Sequence, residues 1–132
     1  MPSEAEHEDQ YVSNLKTIDL LSTSENPPYD WIVTIYFYAA VHLIEKKYAQ
    51  YGKHNGNHLE RNDCVKTFFK KIQVYYESLY IDSQSARYDC VEMTPGKVAL
   101  AKNHLEQINR LIARACLKTT SMKLFQQNHS RS

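Results

Sequence analysis

Between His54 and Cys64 the chain reads HNGNHLERNDC, which gathers two histidines, an arginine and a cysteine. His58 and Arg61 stand three apart, so on a helix they share a face. Asn57 just ahead of them is a natural helix cap, and Glu60 can reach back as in a capping box. That places the pair in a first helical turn, where free amides favour anions. The combination suits phosphate: imidazole moves a proton near neutral pH while guanidinium grips two oxygens. His58 and Arg61 are therefore the candidate catalytic pair. The competing reading is that Arg61 pairs with an acid and His58 closes the loop.

Other residues could join them. His42 falls in the most apolar stretch, with Tyr38 one turn before it and Lys46 one turn after. It is either a core histidine bonded to a tyrosine or a group facing the His58–Arg61 corner. Tyr76, Tyr80, Ser83 and Arg87 step by four, three and four along one helix face, and Tyr88 follows. Such a stripe can stack nucleobases and hold phosphate through Arg87. A tyrosine stripe at that spacing equally suits a core. If the third helix starts where the second ends, His42, His58, Arg61 and Arg87 should line one polar pocket, with Tyr38 or Tyr80 in its wall.

Metal and cofactor chemistry find little footing. His54, His58 and Cys64 invite a zinc reading, but Asn-Gly-Asn interrupts the histidine spacing and no second cysteine pair exists, so no metal site is expected. Cys64 lacks an oriented base that would make it a nucleophile. TPGKV, from Thr94, lacks the upstream glycine and following Ser/Thr of a P-loop. No cofactor is expected.

The elements that must position these side chains read as helices. EDQYVSNLKTIDLL sets Tyr11, Leu15, Ile18 and Leu21 on one stripe. SENPPYD ends that helix, with Asn26 a candidate cap and Pro28 in the first turn of the next. YDWIVTIYFYAAVHLIEKKYAQYG is apolar almost all the way round, which marks the central helix of a bundle, and Gly52 stops it. A third helix capped by Asn57 either breaks near Lys70 or runs on to Tyr88, with Phe68, Ile72, Tyr75 or Tyr76, Leu79 and Ser83 inward. Thr94 caps the last helix with Pro95 in its first turn, and Val98, Ala101, Leu105, Ile108, Ile112 and Ala115 form its packing seam. The polar tail 119–132 should fray. These elements predict an all-α, antiparallel four- to five-helix up-down bundle in a single domain over 1–132.

Composition agrees. The 132 residues are 42% hydrophobic, and only three glycines and four prolines leave little material for the turns of an all-β fold. No apolar run is long enough to span a bilayer, and the acidic start MPSEAEHEDQ is no signal peptide. Three cysteines, Cys64, Cys90 and Cys116, favour buried reduced thiols in a cytoplasm over a disulfide framework. Charge is segregated: residues 1–30 carry seven acids against Lys16, whereas 46–71 carry seven bases against two acids and 96–132 seven against one. The basic segments could converge into a patch for an anionic partner, or the acidic first helix could pack beside them.

Three stretches carry a family resemblance over about residues 30–112. YFYAAVH (Tyr36 to His42), NHLER (Asn57 to Arg61) and YESLYIDSQSARY (Tyr76 to Tyr88) resemble a group of small HEPN-like proteins. The group's pattern is aromatic-Tyr-Ala-Ala-x-His, then Ser-His-x-x-Arg, then Tyr-x-x-Leu-x-x-x-Ser-x-x-Ala-Arg-Tyr. Tyr76, Leu79, Ser83, Ala86, Arg87 and Tyr88 match the last element, and Asn57 replaces the serine of the middle one. The resemblance implies a helical bundle, often a homodimer, from defence, toxin–antitoxin or RNA-processing systems, working on RNA or a nucleotide or with a cognate partner protein. Many such proteins are metal-independent ribonucleases whose signature is an arginine followed after four to six residues by a histidine. No histidine follows Arg61, Arg87, Arg110, Arg114 or Arg131 at that spacing. What the resemblance implies is thus an RNA- or nucleotide-linked bundle without the ribonuclease motif. One alternative is a ribonuclease using the relocated His58–Arg61 pair. Another is a non-catalytic protein-interaction module. The RNA-linked and ribonuclease readings need an accessible His/Arg cleft, and the interaction module has these side chains buried or paired.

Overall fold

The stretch from Tyr29 to Ala49 forms one helix, α2, and twelve of its 21 residues are buried. A helix apolar on every side must be surrounded, and α2 packs against three others. The structure, a computed structural model, describes residues 1–115; the expected fraying of 119–132 and the environment of Cys116 lie outside them. In chain order the elements are α1 (Glu4–Ser22), α2, α3 (His58–Phe68), a 3₁₀ turn (Lys70–Ile72), α4 (Gln73–Tyr88) and α5 (Pro95–Ala113). No strand occurs among the described residues.

Cross-helix contacts give the directions. Glu4 and Glu8 near the start of α1 meet Gln50 and Lys46 near the end of α2, so the two run antiparallel. Tyr38 meets Arg87 while Tyr48 meets Phe69, which sets α4 antiparallel to α2. Asp82 meets Lys97 and Tyr75 meets His104, which sets α5 antiparallel to α4. The result is an up-down bundle with α2 at its centre. Its core gathers Ile18 from α1, Phe37 and Ile44 from α2, Val65 from α3, Leu79 from α4, and Leu105 and Ile108 from α5. No described helix is long and apolar enough to cross a membrane.

Local chemistry sets the boundaries. Thr94 caps α5 through the Lys97 amide with Pro95 in the first turn, and Ala101, Leu105, Ile108 and Ile112 of the expected seam are buried. Gly52, at φ +70°, reverses the chain after α2. Phe69 leaves helical geometry to bury its ring against Tyr48, which breaks the third segment at Lys70 as one of the two readings had it. Three expectations need correction. Helix α1 begins at Glu4 because Ser3 and Glu6 close a full capping box upstream of the apolar stripe. Pro28, not Asn26, occupies the N-cap of α2, and no side chain caps that helix. Cys90 is exposed in the link after α4, while Cys64 is buried; both are free thiols.

Charge segregation resolves locally. The acidic α1 lies along the basic end of α2, with Glu8 Oε2 2.9 Å from the Lys46 ammonium. Leu79→Ala, at a fully buried site, should lower stability by about 2–5 kcal/mol. Leu59→Ala, at a site 77% exposed, should stay within about 0.5 kcal/mol in the same denaturant titration. Equal losses would contradict this core.

Candidate functional site

Glu45 lies near the end of α2 and is 2% exposed. A buried carboxylate without partners is costly, so the chain around it has to supply them. The turn at Gly52 sends the following loop back over α2 and delivers Asn55. Its backbone N–H donates to Glu45 Oε2 at 3.2 Å and its side-chain amide to Oε1 at 2.9 Å. Asn57 then caps α3 by accepting from the Glu60 amide, while the Glu60 carboxylate takes the Gly56 amide at 2.6 Å. With α3 started there, Arg61 reaches Glu45: its Nε donates to Oε1 at 2.9 Å.

Arg61 is only 8% exposed, and its Nη1 donates to His58 Nδ1 at 3.0 Å. Guanidinium can only donate, so that imidazole nitrogen is the unprotonated one. The nitrogen His58 would use as a base is therefore already engaged. The arginine, in turn, is neutralised by Glu45.

His42 faces α1. Its Nδ1 lies 3.0 Å from Nδ1 of His7, so one of the two rings carries the proton between them. Tyr38, one turn earlier, faces Arg87 instead, its hydroxyl accepting from Arg87 Nη1 at 2.7 Å. His54 completes the centre, with Nδ1 3.7 Å from Glu45 Oε2. Burial pushes the pKa of His7, His42 and His58 below the ordinary histidine value. For His42 the neighbouring His7 and Arg61 add to that effect, and for His58 Arg61 and Arg87 do.

Arg87 organises a second cluster. Beyond Tyr38, its Nε donates to the Ser83 carbonyl at 3.2 Å and its Nη2 to the Ser83 hydroxyl at 3.4 Å. The guanidinium stands 5.4 Å from the Tyr38 ring centroid and 5.0 Å from that of Tyr88. Tyr80 joins the two clusters, its ring 6.0 Å from His58 and 5.6 Å from Phe37. The fold thus brings His42, His58 and Arg61 to one polar centre. Arg87, Tyr38, Ser83 and Tyr88 form the neighbouring cluster, with Tyr80 between. They open onto different recesses: His42 shares one with His7, while Arg87 and Tyr88 share another with Trp31 and Asp30.

Two central residues escaped the sequence reading. His7 lay ahead of the assumed start of the first helix, and the Ser3–Glu6 capping box is the signal that would have included it. Glu45 lies in a helix that is apolar almost all the way round and directly follows buried Leu43 and Ile44, so periodicity gives no separate signal that it faces inward. The zinc set of His54, His58 and Cys64 does not assemble, because His58 faces Arg61 and Cys64 lies against Asn55 and Tyr48. Burial raises the Cys64 thiol to about 12, so it stays protonated at neutral pH and is no nucleophile.

No family model, curated protein or solved structure matches this chain.

The histidine shifts give stability a definite pH dependence. A histidine whose folded pKa lies below the unfolded value of 6.5 is neutral in both states at pH 7.5 and higher. As pH falls through that value, the unfolded chain takes up protons that the folded chain refuses, so stability is lost with acidification. All three histidines act in this direction. Melting temperature should therefore be flat above neutrality and fall as pH drops below about 6.5. His58→Gln should flatten part of that slope, and a melting temperature that rises on acidification would contradict the assignment.

Proposed function

We propose that this chain is a HEPN-like helical-bundle domain that acts by binding a partner rather than by cutting RNA. One observation carries the proposal: Arg61 is buried, paired with Glu45 and bonded to the only basic nitrogen of His58. A ribonuclease needs that histidine free to accept a proton and that arginine free to meet a phosphate. Neither is free. The absence of a histidine at the required spacing after any arginine supports the same reading. A cognate partner protein, a homodimer, a defence or toxin–antitoxin setting and a cytoplasmic location belong to this proposal. The resemblance of Tyr36–His42, Asn57–Arg61 and Tyr76–Tyr88 supports the first three, and the free Cys64 thiol supports the last.

A second reading, an RNA- or nucleotide-linked role without catalysis, has its own observation. Trp31 and Tyr88, 56% and 67% exposed, line one recess with Arg87. Exposed aromatic faces beside a guanidinium can stack bases at about 1–3 kcal/mol each. The two readings part in one experiment: fluorescence anisotropy and gel analysis with a labelled single-stranded RNA. Neither reading allows cleavage. Binding that Trp31→Ala weakens by roughly 5- to 100-fold would favour the nucleotide reading over the protein partner. Metal-independent cleavage that disappears in a folded His58→Ala variant would overturn both.

A further inference from the structure

From the side chains that converge beside the ion pair, we propose that His7, Glu45 and His54 form a binding site for a divalent transition-metal ion, with zinc the best fit. One ligand atom from each lies within 4.8 Å of the others, and they come from three separate segments: α1, α2 and the loop after α2. Two imidazole nitrogens and one carboxylate oxygen are a common zinc donor set, and imidazole selects zinc over magnesium or calcium.

The geometry distinguishes this from a hydrogen-bond cluster. His54 Nδ1 stands 3.7 Å from Glu45 Oε2, too far for a hydrogen bond. Ligands at about 2.0–2.2 Å in a tetrahedral arrangement stand about 3.4 Å apart, near that spacing. The two carboxylate oxygens also differ. Oε1 is taken by Arg61 Nε and the Asn55 side-chain amide, whereas Oε2, among the described residues, accepts the Asn55 backbone N–H alone and is the oxygen on the histidine side. Arg61 and Asn55 thus orient the carboxylate, and His42, with its Nδ1 3.0 Å from His7 Nδ1, orients that ring. Metal-binding histidines and carboxylates are commonly held by outer partners of this kind.

Access and protonation agree with the geometry. Separate recesses reach the site, one lined by His7 and His42 and the other by His54 and Asn55. Burial disfavours the charged form of both His7 and His42, and imidazole binds metal in its neutral form. The site takes no residue from the Arg87 cluster, so it stands apart from the nucleotide reading.

The test uses the purified full chain, stripped of metal and titrated with Zn²⁺ by calorimetry and with Co²⁺ by visible absorption. The expected result is one ion per chain, d–d bands from nitrogen and oxygen coordination, and a melting temperature that Zn²⁺ raises and EDTA restores. His7→Ala and His54→Ala, checked for folding by circular dichroism, should each weaken binding at least tenfold, and His42→Ala by roughly 10- to 100-fold. Each ligand tested leaves the Glu45–Arg61 pair in place, so loss of folding does not mimic loss of metal. Absence of stoichiometric binding, or binding that survives both His7→Ala and His54→Ala, would overturn the proposal.

Discussion

The buried carboxylate of Glu45 is the constraint around which the rest of the molecule is arranged. It sits on the most apolar helix, where an ionised acid survives only if several donors meet it. Asn55 and Arg61 meet it, and both come from the chain segment immediately after α2. The loop conformation, the turn at Gly52 and the starting point of α3 therefore answer to one charge. A buried ion pair of this kind contributes little net stability over a well-packed apolar substitute, but losing one partner is severe. It joins α3 to α2 at one register, through Arg61 and Glu45, and Arg61 in turn bonds His58.

Two polar layers follow from that register. On the α1 side, His7 and His42 lie next to the ion pair, and Glu8–Lys46 and Glu4–Gln50 hold α1 along α2. On the α4 side, the aromatic ring of Phe37 meets Tyr76, Tyr80 and His58. Arg87 then satisfies itself on Tyr38 and Ser83. Tyrosines at Tyr38, Tyr76 and Tyr80 give these helix faces a mixed surface, apolar in the ring and polar at the hydroxyl. Burial raises the pKa of the Tyr76 hydroxyl to about 12, with the neighbouring Arg61 guanidinium pulling the other way.

Much of the architecture was legible because it rests on local rules. Asn57, Thr94 with Pro95, and Gly52 act within one turn of the chain, so sequence alone locates the helix ends they control. The unbroken apolar stretch of α2 shows its burial through composition, and the seam of α5 shows it through periodicity. The polar centre was only half legible. His42, His58 and Arg61 stand out as chemically able residues, but their partners are set by tertiary contact. Glu45 sits in a helix apolar on every side, where periodicity cannot say which polar residue faces inward. His7 finds His42 across 35 residues, a pairing that exists only once α1 lies antiparallel to α2. The two readings of Arg61, phosphate ligand or partner of an acid, differ by a single long-range contact, and Arg61 Nε makes that contact with Glu45.

The central claim is that Arg61 serves Glu45 and not a substrate. A double-mutant cycle in chemical denaturation tests it most directly, comparing Glu45→Leu, Arg61→Met and the pair together. Each single substitution strands a buried charge and should cost about 3–5 kcal/mol. The double variant should recover most of that loss, leaving a coupling energy well above 1 kcal/mol between the two positions. Losses that simply add, or an Arg61→Met variant as stable as the parent chain, would contradict the account and return Arg61 to the pool of side chains free for chemistry.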